Sequence, residues 1–186
     1  AILAGDALQA QAFYALSTAP DLSPDIRLKM IETLSESSGS AGMVAGQAID
    51  LDSVGKPLSL EQLETMHLYK TGALIEASIV MGALCAGMQD TTNLSLLRSF
   101  ARSIGLAFQV KDDILDVESD TETLGKPQGA DEALNKPTYV SLLGLEGAKH
   151  KCHQLRELAM SELQLLSGAD ITRLEQLCAF IVDRKH

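Results

Sequence analysis

The sequence predicts an all-helical fold, and three observations carry that prediction. Apolar residues recur at helical spacing along nearly the whole chain, no convincing pair of alternating strands occurs, and helix start and stop residues punctuate the chain at helix-length intervals. Composition agrees: hydrophobic residues make up 46% of 186, aromatics 4%, and there is no Trp. Ala, Leu, Ser, Glu and Met dominate, which favours helix. The length suits one domain with its own core. Without repeats, low-complexity tracts or linkers, residues 1–186 read as a single helical bundle.

The elements follow in order. A first helix is expected from Ile2 to Ser17, stopped by Pro20. Ser23 is a good N-cap and Pro24 suits the first helical position, so a long helix is expected from there to about Leu51. Gly39, Gly42 and Gly46 lie inside it and would let another backbone come close. Asp52 to Pro57 reads as a loop. Ser59-Leu60-Glu61-Gln62 has the form of a capping box, opening a helix that ends at Gly87. Thr91 or Thr92 is expected to cap the next helix, which runs to Glu118. Residues 119 to 137 form a polar loop. Helix resumes near Thr138, with a break at Gly144 or Gly147, and continues to about Leu166. Asp170 is expected to cap a last helix ending near Arg184. Several of these helices are apolar on more than one side, so each needs several neighbours.

The net charge of −10 argues against nucleic acid as a partner, because phosphate backbones need a basic face. A small anionic substrate stays compatible, since a few lysines and a metal ion reverse the local field. Cys85, Cys152 and Cys178 are odd in number and contain no C-x-x-C pair, which points to reduced thiols and a cytoplasmic setting. No leader with a basic start is visible. The apolar stretch from Gly72 to Met88 contains Glu76 and is diluted by Gly, Ala and Ser. It reads as a core helix, not a membrane span.

The richest chemistry lies in Asp112-Asp113-Ile114-Leu115-Asp116. Gln109, Asp112, Asp113 and Asp116 fall at i, i+3, i+4 and i+7, on one helical stripe. An acidic helix end facing water is the ordinary reading. Against it, the preceding residues Ile104 to Val110 are mostly apolar, and carboxylates near a helix C-terminus oppose the macrodipole unless a cation compensates them. Carboxylate oxygens suit a hard divalent cation, above all Mg²⁺ that keeps its waters and borrows phosphate oxygens. An EF-hand fails: counted from Asp116, Thr121 stands where the turn Gly belongs and Pro127 where the last Glu belongs. Lys70 and Thr71 interrupt an apolar helix, Gln47 and Asp50 are i, i+3 neighbours beside Gly46, and Lys126 sits in a polar loop. Taken singly, each has an ordinary solvated reading. His150 and His153 around Cys152 lie on a basic, solvated stretch and make a weak metal motif. No arrangement for nucleophilic catalysis and no Gly-rich nucleotide loop is present.

Together the motifs point further. F-Q-V-K-D-D-I-L-D, L-G-K-P-Q-G-A-D and K-P-T-Y-V-S-L-L-G-L-E, preceded by A-I-L-A-G-D-A-L, G-Q-A-I-D-L and H-L-Y-K-T-G-A-L, resemble the short-chain trans-isoprenyl diphosphate synthases. The likeness is greatest to the bacterial members that make farnesyl diphosphate. It implies an isoprenoid-synthase-type helical bundle around a central cavity, and Mg²⁺-assisted condensation of isopentenyl diphosphate with dimethylallyl and geranyl diphosphates. By this resemblance Asp112, Asp113 and Asp116 are the metal-binding residues, with Asp113 in support. Lys70 and Lys126 hold the allylic diphosphate, and Thr71 and Gln109 lie near the reacting carbons. Gln47, Asp50 and Phe108 line the substrate cavity. The family also carries a first aspartate-rich motif followed by paired arginines, and this chain contains neither. The expectation is a C-terminal portion of a polyprenyl synthase domain, inactive by itself, from an enzyme that forms homodimers. Arg184 and Lys185 loosely resemble the basic end that some members use near the second diphosphate. A synthase of another chain length and a non-catalytic subunit of the same fold are the alternatives.

Overall fold

The computed structural model describes residues 1–118 and 137–184. Among them every regular element is helical. The elements are α1 (Ile2–Thr18), α2 (Pro24–Ser38), α3 (Met43–Asp52), α4 (Leu60–His67), a π-helical turn (Leu68–Gly72), α5 (Ala73–Cys85), α6 (Thr91–Glu118), α7 (Tyr139–Gln164) and α8 (Thr172–Asp183).

The caps explain most of the boundaries. Ser23 accepts the Ile26 N–H at 3.4 Å and Pro24 opens α2. Ser59 and Gln62 bond reciprocally at the start of α4, and Thr138 and Ser141 do the same for α7. These reciprocal pairs satisfy donors that a helix start otherwise leaves to water.

Three expectations are corrected. The long helix from Ser23 to Leu51 is two helices, α2 and α3, separated at 39–42. Gly39 is extended and Gly42 is neither helical nor extended, and a Cβ on Gly42 would sit 2.2 Å from the Ser37 carbonyl oxygen. The two glycines break the helix rather than accommodate a neighbour. The cap of α6 is Asp90, whose carboxylate accepts the Asn93 N–H at 2.7 Å, and neither Thr91 nor Thr92. Asp170 accepts the Thr172 N–H at 2.9 Å, but α8 begins only at Thr172 itself. The expected break in α7 falls at Gly144, where φ is 71°, a conformation glycine adopts without steric cost.

The run from Leu60 to Cys85 is long and apolar enough to cross a membrane by length and composition alone. In the fold it is interrupted by the π turn and packs against α2, α3 and α6.

The main core forms around α6. Phe100, Ile104, Ala107, Val110 and Ile114 of α6 meet Ala148, Cys152, Leu155, Ala159 and Leu163 of α7, and Cys178, Ile181 and Val182 of α8. Full burial of a large side chain such as Phe100 contributes on the order of 2 kcal/mol, so this seam anchors the register of α6. A smaller cluster, Ile26, Met30, Val80 and Leu84, joins α2 to α5. By contrast α1 buries none of its residues and leaves Ile2, Leu3, Leu8 and Tyr14 exposed.

Candidate active site

The site is built where α3, the π turn and the C-terminal half of α6 meet. Gly46 of α3 makes that meeting possible. A Cβ there would lie 2.1 Å from the Lys70 backbone nitrogen and 2.4 Å from its Cα, so only hydrogen fits. The close crossing sets Lys70 beside Asp50: Nζ lies 2.7 Å from Asp50 Oδ2, with both side chains half-buried. A turn of π-helix re-aims side chains relative to the flanking α-helix and is common at functional sites. Here it carries Lys70 and Thr71. Gln47 is exposed on α3, three residues before Asp50.

His67 immediately precedes the π turn and is buried. Burial, reinforced by the Lys70 charge, lowers its pKa from 6.5 to about 4, against the opposing pull of Asp50 and Gln109. The imidazole is therefore neutral at pH 7. Its ring stacks on that of Tyr139, with centroids 5.7 Å apart and planes inclined by 19°. Burial, helped by Glu64 and Asp113, pushes the Tyr139 hydroxyl well above the usual phenol range.

The acidic stripe has distinct surroundings at each position. Asp112 pairs with the Arg184 guanidinium at the end of α8. That guanidinium also donates to the Phe108 carbonyl at 3.2 Å and lies 4.2 Å above the Phe108 ring, a cation–π contact. Asp113 Oδ2 accepts the Tyr139 backbone N–H at 2.7 Å, at the positive end of the α7 dipole. Asp116 is buried, only 3% exposed. Among the described residues, no three carboxylates, imidazoles or thiolates converge into a cluster that could hold a metal by themselves. The expected trio at 112, 113 and 116 is thus not a closed cage. The donor set still fits Mg²⁺, which uses one or two carboxylates and completes its octahedron with water and substrate phosphate.

Of the residues nominated from sequence, Asp50, Lys70, Thr71, Phe108, Gln109, Asp112, Asp113 and Asp116 come from the three elements that meet here, with Gln47 on the exposed side of α3. Lys126 lies outside the described residues, as does Lys185. His67 and Tyr139 were missed. Their signal was faint: His67 stands three residues before Lys70, and Tyr139 follows a capping Thr. A cleft of about 460 Å³, lined by Glu36, Tyr69, Glu76, Arg98 and Arg102 among others, includes none of the nominated residues.

The described residues thus define an all-helical bundle with an acidic stripe along its central helix α6. Comparison with known proteins narrows the class. The polyprenyl synthetase family model matches residues 1–169. Farnesyl diphosphate synthase of Escherichia coli K12 is 52% identical over 99% of this chain and 63% of its own length. That of Haemophilus influenzae is 45% identical over the whole chain and 62% of its own length. A solved geranyltransferase from Helicobacter pylori, complexed with magnesium and isoprenyl diphosphate, is 39% identical with a TM-score of 0.82, covering 97% of this chain and 58% of that one. The chain belongs to the polyprenyl synthetase family. It spans about three fifths of the length of these relatives.

Proposed function

We propose that this chain forms the allylic-diphosphate side of a Mg²⁺-dependent prenyltransferase. The whole protein condenses isopentenyl diphosphate with dimethylallyl and geranyl diphosphates to give farnesyl diphosphate. One observation carries the reading: the π turn bearing Lys70, paired to Asp50 at 2.7 Å, packs both on α3 and on α6, the helix that bears the acidic stripe. A cation and the acidic stripe are thus held by one framework. Family membership and the farnesyl diphosphate synthases among its relatives support the substrate class.

The chemistry asks little covalent work of the protein. Breaking the allylic carbon–oxygen bond requires that charge developing on the departing diphosphate be neutralised. Bound Mg²⁺ supplies Lewis-acid stabilisation of that leaving group. Asp112 and Asp116 hold it through hard oxygen donors, with Asp113 in support. Lys70 and Lys126 bind the diphosphate oxygens directly, preorganised cations acting where charge develops. Thr71 and Gln109 orient the reacting carbons, and Gln47, Asp50 and Phe108 line the cavity. The helical walls exclude water, so the carbocation meets the isopentenyl double bond instead of being hydrolysed. The last proton passes to the departed diphosphate, so no enzymic nucleophile is needed.

The protein is cytoplasmic and not inserted in a membrane. In support, Glu76 on the apolar run is held by Arg98 at 2.6 Å and Arg102 at 2.8 Å. It works as a homodimer of single-domain subunits, a reading favoured by the exposed apolar residues of α1.

Geranyl diphosphate titrated into the chain with and without Mg²⁺ tests the site. Binding that requires the metal is expected, and equal binding without it overturns the assignment. Condensation by the whole protein, read by chromatography, tests the reaction. Farnesyl diphosphate is the expected product, and no product contradicts the reading.

A further inference from the structure

His67 and Tyr139 have no part in the reaction described above, yet Tyr139 touches the acidic stripe at Asp113 and His67 stacks on Tyr139. Gln109 and Asp113 are an i, i+4 pair on α6, so their side chains lie one above the other. Gln109 bears electrostatically on the buried His67, and Asp113 accepts the Tyr139 N–H at 2.7 Å. The two rings in turn stack on each other, 5.7 Å between centroids. The loop closes through three helices: α6, α4 by way of His67, and α7 by way of its first residue, Tyr139. Both rings are buried, Tyr139 completely. The Tyr139 hydroxyl finds no hydrogen-bond partner, so the residue contributes its ring and its backbone N–H to this loop. His67 is neutral at pH 7 and stacks as an uncharged ring.

We propose that His67 and Tyr139 are a positioning pair: their stacked rings hold the first residue of α7, whose N–H fixes Asp113 on α6, and so set the orientation of the stripe for the metal–diphosphate ligand, without touching it. The inference rests on the diphosphate–Mg²⁺ reading of the site. Its physical basis is preorganisation. A polar side chain on a helix is free to change rotamer, and ordering it on binding weakens affinity. Side chains locked beforehand by packing and hydrogen bonds avoid that loss. The pair also joins the element carrying Lys70 to the one carrying the carboxylates, since His67 is three residues before Lys70.

The test is calorimetry of inorganic pyrophosphate with and without Mg²⁺ on the full chain, alongside thermal unfolding. His67→Leu and Tyr139→Leu remove the stack, whereas Tyr139→Phe keeps it; every variant keeps the backbone N–H that Asp113 accepts. Metal-dependent affinity should fall about tenfold or more in both Leu variants while unfolding stays cooperative. Tyr139→Phe should restore it to within about threefold of the unsubstituted chain. A merely structural role would lower the melting temperature of the Leu variants and leave the affinity of the folded protein intact, and that result overturns the proposal. If Tyr139→Leu does not fold, His67→Leu, which alters only one wall of the stack, decides. If the unsubstituted chain itself shows no metal-dependent binding, the proposed function fails and the positioning role falls with it. Metal-dependent binding that both Leu variants retain refutes the positioning role alone.

Discussion

Lys70 Nζ lies 2.7 Å from Asp50 Oδ2, and the pair spans the crossing of the π turn over α3. The lysine is therefore held in place before any ligand arrives. Replacing it with Met removes one cation from the proposed diphosphate site while keeping the apolar stem. Pyrophosphate affinity in the presence of Mg²⁺ should fall by at least tenfold, about 1.4 kcal/mol. Stability should change by only about 1 kcal/mol, because the pair is partly solvated. Calorimetry and urea unfolding on the same variant separate the two effects. Unchanged affinity would place Lys70 outside the site.

Gly46→Ala tests whether the crossing itself matters. The added Cβ would lie 2.1 Å from the Lys70 nitrogen, a backbone atom that cannot swing aside. Either α3 or the π turn must shift, at a cost of about 1–3 kcal/mol. Lys70 and Asp50 should move apart with it. The expected outcome is a lower urea midpoint together with weakened pyrophosphate binding. Ala at Gly82, where a Cβ would meet nothing within 4 Å, is the matched control and should be tolerated.

The buried imidazole gives a pH signature. His67 has a pKa of about 4 in the folded chain against 6.5 as the ordinary value. Between those values the unfolded chain binds a proton that the folded chain does not, so stability falls as pH drops through this window and is fully present above it. The whole shift corresponds to about 3 kcal/mol. Urea unfolding at pH 7 and at pH 4.5 should show this loss in the unsubstituted chain. In His67→Leu the His67 share of the slope should vanish, leaving only the carboxylate contribution.

Arg184 ties the end of α8 to the stripe through three contacts: the Asp112 carboxylate, the Phe108 carbonyl and the Phe108 ring. The side chain is 13% exposed, so the pair is not an ordinary surface bridge. Arg184→Ala should destabilise by about 1–2 kcal/mol through the lost cation–π and charged hydrogen bonds. Amide exchange in the last turn of α8 should quicken ahead of global unfolding. Unchanged exchange there would mean that Cys178, Ile181 and Val182 alone hold the helix.

Much of this was legible in local sequence, and the reasons are specific. Ser23, Ser59 and Thr138 each act on the residue three positions away, so their caps can be read from spacing. The i, i+4 relation within the acidic stripe is likewise local. Gly39 and Gly42 were read as points of close approach in one helix, because glycine signals both a break and a contact, and only tertiary context chooses between them. Gly46, four residues on, is the true close contact. The π turn has no sequence signature of its own. The contacts that fix Asp112 and Asp113 join residues 72 and 26 positions apart, so they depend on how α7 and α8 dock on α6 and cannot be seen in a linear pattern.

The central claim is that Asp112 helps hold a metal-bound diphosphate on α6. Calorimetry of pyrophosphate against the unsubstituted chain and Asp112→Ala, each with Mg²⁺ and with chelator, tests it most directly. The account predicts binding to the unsubstituted chain that disappears with chelator and is lost in Asp112→Ala, while Lys70 and the fold stay in place. Pyrophosphate binding of equal strength in all four measurements would contradict it.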